Sequence, residues 1–221
     1  MWQLYKRHSN LVLAFHGCDR SVGERVLAGK EPLSESANDY DWLGPGIYFW
    51  EGDPERALAF AAEAAEANKK VSKGSIREPF VLGAILDLGL CCNLLSSDAI
   101  GELCEAHKAL EKLAAKAGTP LPKNSGGMDK GARFLDCAVI KVMHSLRQEN
   151  GLEPYDTVRG AFWEGEEIYP GAGFSNKGHV QIAVKNPSCV RGYFRPIPST
   201  ASIAAAGSGK VKRRKARKVT K

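Results

Sequence analysis

DYDWLGPGIYFWEGDPER, residues 39–56, is the stretch on which the fold turns. Gly44-Pro45-Gly46 reads as a turn, because glycine permits backbone conformations and close approaches that other residues resist. GIYFW follows as a short apolar strand. Alternation along it puts Tyr48 and Trp50 on one face and Ile47 and Phe49 on the other. The second pair fills a core; the first either completes one or is offered to a ligand. Asp53-Pro54 then opens a helix, with Asp53 as the cap, Pro54 at the first helical position and Glu55 in the first turn. The alanine-rich run behind it carries that helix to about Val71.

Upstream, LVLAF (11–15) is a continuous apolar run, predicted as a buried strand ending at His16-Gly17. SVGERVLAG reads as a short helix capped by Ser21 and stopped by Gly29. Downstream, FVLGAILDLGL (80–90) is a third strand, and Ser97 or Asp98 caps a helix through Ala117, stopped by Gly118 and Pro120. After a loop at 124–127, a further helix from Asp129 to Asn150 places Phe134, Leu135, Ala138, Val139, Val142, Met143 and Leu146 on one face, and Gly151 closes it. The last third is strand-like: TVRGAFW, the glycine-rich turn YPGAGFSNKG, HVQIAVK, then Asn186-Pro187 and CVRGYF. Strands at both ends with helices between them specify an α+β domain, not alternating βαβ units. The expected boundaries are one domain over 1–196 and a linker with a basic tail over 197–221.

The 221 residues suffice for one domain with a real core, and 43% hydrophobic with 25% charged residues is ordinary for a water-soluble protein. No apolar run approaches the roughly 18 residues of a membrane span. LVLAF is too short for the core of a signal peptide, so a cytoplasmic protein with no membrane partner is expected. The net charge of +6 is unevenly placed. Residues 207–221, GSGKVKRRKARKVTK, carry eight basic residues and no acidic one; without them, 31 Lys and Arg fall to 23 against 25 Asp and Glu. The body is therefore slightly acidic and the basicity belongs to the tail, which suits contact with a polyanion such as nucleic acid, or a solubilising role.

Several site types are excluded or weak. The six cysteines lack C-x-x-C spacing and the five histidines lack H-x-x-x-H, so reduced thiols and no metal site are expected. No G-x-S-x-G elbow or P-loop is present, and no helix follows YPGAGFSNKG to make it a dinucleotide-binding turn. What remains is a pattern of strand ends, with His16-Gly17 closing the first and Tyr48 lying in the second.

Four segments, in order, resemble the ADP-ribosyltransferase fold, in its diphtheria-toxin and poly(ADP-ribose) polymerase-like branch. They are FHG with the helix after it, LGPGIYF with Pro45 in place of the family's lysine, VLGAILDLG, and HVQIAVKNPSCVRGYF. The resemblance covers roughly 80 residues and leaves about 96–160 without a counterpart. It implies a split β-sandwich of two antiparallel or mixed sheets with flanking helices, and a site for NAD as co-substrate. On that resemblance His16 would bond the adenosine ribose, Gly17 would hold the nicotinamide carboxamide by its N–H and C=O, and Tyr48 would lay its ring on the nicotinamide. The second stacking aromatic falls near Phe60. Arg56 stands where family members carry a serine, and Gln181 stands at the third catalytic position in place of glutamate. A neutral residue there weakens stabilisation of an oxocarbenium-like ribose. Glu164, first of the Glu164-Gly165-Glu166-Glu167 run, is the alternative carboxylate. The implied activity is mono-ADP-ribosylation of a nucleic acid or protein by a toxin or defence effector, with an antitoxin as a conceivable partner. A catalytically silent NAD or ADP-ribose binding module and an NAD glycohydrolase are the other readings.

Overall fold

Backbone hydrogen bonds join seven chain segments edge to edge, and alternation along them decides which side chains are buried. A computed structural model describes residues 11–67, 70–71, 74–127 and 131–197; the basic tail, most of the expected linker and Asp129 lie outside these. The elements in chain order are β1 (Leu11–Asp19), α1 (Arg20–Leu27), β2 (Ile47–Glu51), α2 (Pro54–Glu66), β3 (Lys70–Val71), β4 (Gly74–Ser75), β5 (Pro79–Asp87), β6 (Cys91–Asn93), α3 (Ser97–Ala117), α4 (Phe134–Glu149), β7 (Thr157–Phe162), β8 (His179–Val184) and β9 (Val190–Phe194). The class is α+β. Seven strands form one mixed sheet in the order β6-β7-β8-β2-β1-β5-β9, and β3-β4 is a separate ribbon. Among the described strands, only β6 and β7 pair in parallel.

The sheet is unevenly joined. β1 and β5 pair over nine positions, from Leu11↔Asp87 to Asp19↔Pro79. β1 and β2 register at only two, Ala14↔Glu51 and Phe15↔Trp50. The seven strands are hydrogen-bonded throughout, in place of two separate sheets, yet the β1/β2 join divides them into a β6-β7-β8-β2 half and a β1-β5-β9 half.

Three apolar clusters cover the sheet. Ala14, Phe49, Leu82, Leu86, Ile182 and Val184 pack with Val26 of α1. Leu43, Val158, Phe162 and Ala183 pack with Ile140 and Met143 of α4 and with Ala99 and Ala106 of α3. Phe15, Trp50 and Ala57 form the third cluster with Phe60, beneath α2.

Element ends show where local chemistry departs from expectation. β1 runs on to Asp19, and Asp19 caps α1 by accepting from the Ser21 amide and hydroxyl at 3.0 and 2.6 Å, so Ser21 is the capped residue and not the cap. α2 begins as expected but ends at Glu66, and 70–71 pair as a strand. Ser96, one residue before the expected caps, accepts from Ala99 N–H, and Gly118 takes the left-handed conformation after α3. α4 starts at Phe134; Asn124, from the preceding loop, accepts from the Leu135 and Asp136 amides at 2.9 and 3.3 Å in place of a cap on the helix itself. Its buried residues are Cys137, Val139, Ile140, Met143 and Arg147, a face rotated from the expected one.

Asp19 also accepts from the Arg77 and Glu78 amides, at 2.8 and 3.1 Å. The Ser21 hydroxyl, then these amides, hold its carboxyl well below the usual carboxylate range. A depressed folded pKa contributes stability that is present above the unfolded value near 4 and lost as pH falls below it. Asp19→Asn should therefore flatten the acid limb of the stability curve below about pH 4, as measured by urea unfolding across pH. An unchanged limb would remove Asp19 from that role.

Candidate ligand cleft

Backbone direction decides what the narrow join exposes. The Leu13 carbonyl accepts from Gly52 N–H at 2.9 Å, toward β2, while Arg20 N–H donates to the Glu78 carbonyl at 2.9 Å, toward β5. In an antiparallel sheet the amide and carbonyl of one residue point to the same neighbour, and successive residues alternate. Leu13, Phe15 and Gly17 therefore address β2. The register with β2 stops at Phe15↔Trp50, so the next pair, Gly17 with Tyr48, is not made. Instead His16 Nδ1 donates to the Tyr48 carbonyl at 2.7 Å. The imidazole ends the ladder and leaves the Gly17 N–H and C=O facing the gap between the strands.

Each neighbour reinforces this arrangement. Donation from Nδ1 fixes the neutral His16 tautomer with Nε2 as acceptor, and burial lowers its pKa further than the carbonyl raises it. A Cβ at position 17 would lie 2.1 Å from the Ala57 carbonyl oxygen of α2, so only glycine fits there. The Tyr48 hydroxyl donates to the Gly44 carbonyl at 2.7 Å and accepts from Leu43 N–H at 2.8 Å, and burial pushes the phenol upward. This ring is pinned to the turn that precedes it. It packs on the α4 side, whereas the His16 ring lies 5.8 Å from Phe49 on the opposite face. His16 and Tyr48 thus meet through the Tyr48 carbonyl and not ring to ring.

The remaining expected site residues gather on the Trp50 face. Gln181, half-buried, pairs with Trp50 on β2 and Gly160 on β7. Phe60 packs on Trp50 with centroids 5.0 Å apart. Glu164, just past β7, accepts from Arg56 Nη2 at 2.8 Å. Glu164 also lies 3.9 Å from His179 Nδ1, which donates to the Lys177 carbonyl at 2.7 Å. Burial, ahead of every other influence, lowers the pKa of His179. A cavity of about 390 Å³ opens between the start of α2 and the β7–β8 connection, with Arg56 and Lys177 in its lining.

Buried polar atoms without hydrogen-bond partners concentrate here: Trp50 Nε1, Arg56 Nε and Nη1, and His179 Nε2. Arg56 lies 5.9 Å from the Trp50 ring centre, and Trp50 and His179 are 6.3 Å apart. Such atoms are costly unless something meets them. Trp50 was expected only as a cleft-lining ring without a role, and His179 was not among the expected site residues. The signal for both was alternation, since Trp50 shares a face with Tyr48, and His179 with Gln181. Among the described residues, no group of three His, Cys, Asp or Glu side chains is placed to hold a metal ion.

No protein-family model, curated protein or solved structure matches this chain.

The Arg56–Glu164 pair is asymmetric, because Arg56 is 9% exposed and Glu164 21%. Removing one partner of a buried pair strands the other, and the deeper charge suffers more. Glu164→Ala should cost about 3 kcal/mol or more in denaturant unfolding, and Arg56→Met clearly less. The reverse order would mean that the pair does not anchor the cleft.

Proposed function

We propose that the chain cleaves NAD at its nicotinamide bond and passes ADP-ribose to an acceptor, as a mono-ADP-ribosyltransferase. The observation that carries this reading is the broken ladder: the β1/β2 register stops at Phe15↔Trp50, and the Gly17 N–H and C=O point toward β2 where His16 has taken the Tyr48 carbonyl. A carboxamide needs one donor and one acceptor, so the residues present fit that group. The two-position β1/β2 join sets the place at which the strands part.

Bound NAD supplies an N-glycosidic bond whose cleavage leaves positive charge on the ribose and returns an electron pair to nicotinamide. On this reading Gly17 orients the carboxamide through its two backbone groups. His16 offers Nε2 as acceptor to a ribose hydroxyl. Tyr48 supplies a wall, its hydroxyl already engaged by the turn. Glu164 supplies the negative charge that Gln181 lacks, and fixed charge aimed at developing charge is the largest single lever on such a step. Arg56 holds Glu164 in place by donating to its carboxylate. Gln181, opposite Trp50, contributes a neutral hydrogen bond.

The test is incubation of the full chain with NAD labelled in the adenylate half, with separate RNA, DNA and protein pools. Nicotinamide should be released and label should enter one pool. Label released only as free ADP-ribose would make the activity a glycohydrolase, and NAD bound without cleavage would make the chain a silent module. His16→Ala and Glu164→Gln should each lower release by about 10²- to 10³-fold, with Gln181→Ala falling less. Full activity in His16→Ala would misplace the site.

A further inference from the structure

Between β7 and β8 the chain folds back on itself. Ile168 N–H donates to the Phe174 carbonyl at 3.2 Å and Asn176 N–H to the Glu166 carbonyl at 2.9 Å. This excursion holds Trp163, Tyr169 and Phe174 outward, 63%, 57% and 66% exposed. Three large exposed aromatics on one short excursion are available for contact with a partner segment. Glu166 and Glu167 are exposed on the same excursion, and Glu55 and Glu63 are exposed on α2, which faces it across the cavity of about 390 Å³.

The basic groups of this face are already engaged, Lys177 with Glu63 at 2.9 Å and Arg56 with Glu164 at 2.8 Å. Glu55 and Glu166 have no ion-pair partner among the described residues. The excursion therefore combines exposed carboxylates with exposed aromatics. It repels the phosphates of a nucleic acid and suits Lys and Arg side chains, which meet carboxylates and lie over aromatic rings.

A segment of that chemistry lies in the same chain. Residues 207–221 hold eight basic residues and no acidic one. β9 ends at Phe194, whose ring is 6.0 Å from Phe15 in the cluster that also holds Trp50 and Phe60. From β9 to β7, where the excursion begins, is five strand spacings, about 24 Å. Residues 198–209 separate Ile197 from Lys210 and can span up to roughly 40 Å. A tether of this length keeps the segment at a high effective concentration near the face.

We infer that residues 207–221 dock on the acidic, aromatic face formed by α2 and the β7–β8 excursion of their own chain. A polyanion must then compete with this face to bind the segment. Salt weakens the contact, because it joins exposed charges.

Carbodiimide coupling of the full chain, read by peptide mass spectrometry, tests this independently of any NAD chemistry. Amide links should join Lys210, Lys212, Lys215 or Lys218 to Glu55, Glu166 or Glu167. They should exceed links to Glu105, Glu111 and Glu149, which are exposed on α3 and α4. The excess should vanish in high salt and in the Trp163→Ser, Tyr169→Ser, Phe174→Ser triple variant, which keeps every carboxylate. A mixture of isotopically light and heavy chains should give links within one chain. Links spread evenly over all exposed carboxylates, links only between light and heavy chains, or an excess that survives the triple variant would overturn the inference.

Discussion

The hydrogen bond from His16 Nδ1 to the Tyr48 carbonyl is the constraint on which the arrangement rests. A strand pair normally continues until a residue cannot donate or the chain turns away. Here a side chain takes the acceptor that the next backbone amide would use, and the ladder stops with both strands still extended. The consequence is local and polar: two backbone groups of Gly17 face the gap while β1 stays anchored to β5 along its whole length. A gap flanked by two fixed strands is better preorganised than a loop, since its donors and acceptors cannot relax toward each other.

α2 couples this gap to the second half of the site. It lies so close to β1 that position 17 admits only glycine, and its first turn carries Arg56 into the Glu164 ion pair. Asp53 sets that turn by accepting from the Arg56 amide at 2.8 Å. One short helix thus fixes the backbone that faces the gap and the carboxylate beyond it. The cost is visible in the unpartnered atoms of Trp50, Arg56 and His179, a concentration that a purely structural core would have avoided.

Much of the fold was legible in the residues because local chemistry and tertiary context agree there. Asp53-Pro54 opens α2 where cap preference and proline geometry coincide, and Gly118 ends α3 in the left-handed conformation. Where the deciding partner is distant in sequence, legibility fails. Asn124 caps α4 from another loop, so the start of that helix carries no signal of its own. β6 is three residues long and needs β7, more than sixty residues later, to be a strand. His16 and Gly17 stood out as a strand end, but β1 runs on to Asp19; what ends at that point is the pairing with β2. The partner of Arg56 is Glu164, 108 positions away, so no local pattern joins the two.

The central claim is that Gly17 offers free backbone groups to a ligand. Amide hydrogen exchange, resolved by residue in a ¹⁵N-labelled chain, tests it most directly. Gly17 N–H should exchange faster than the amides of Phe15 and Cys18, which lie in ladders, and should shift and gain protection when NAD or nicotinamide is added. A Gly17 amide as protected as its neighbours in the free chain, or unmoved by saturating NAD, would contradict the account.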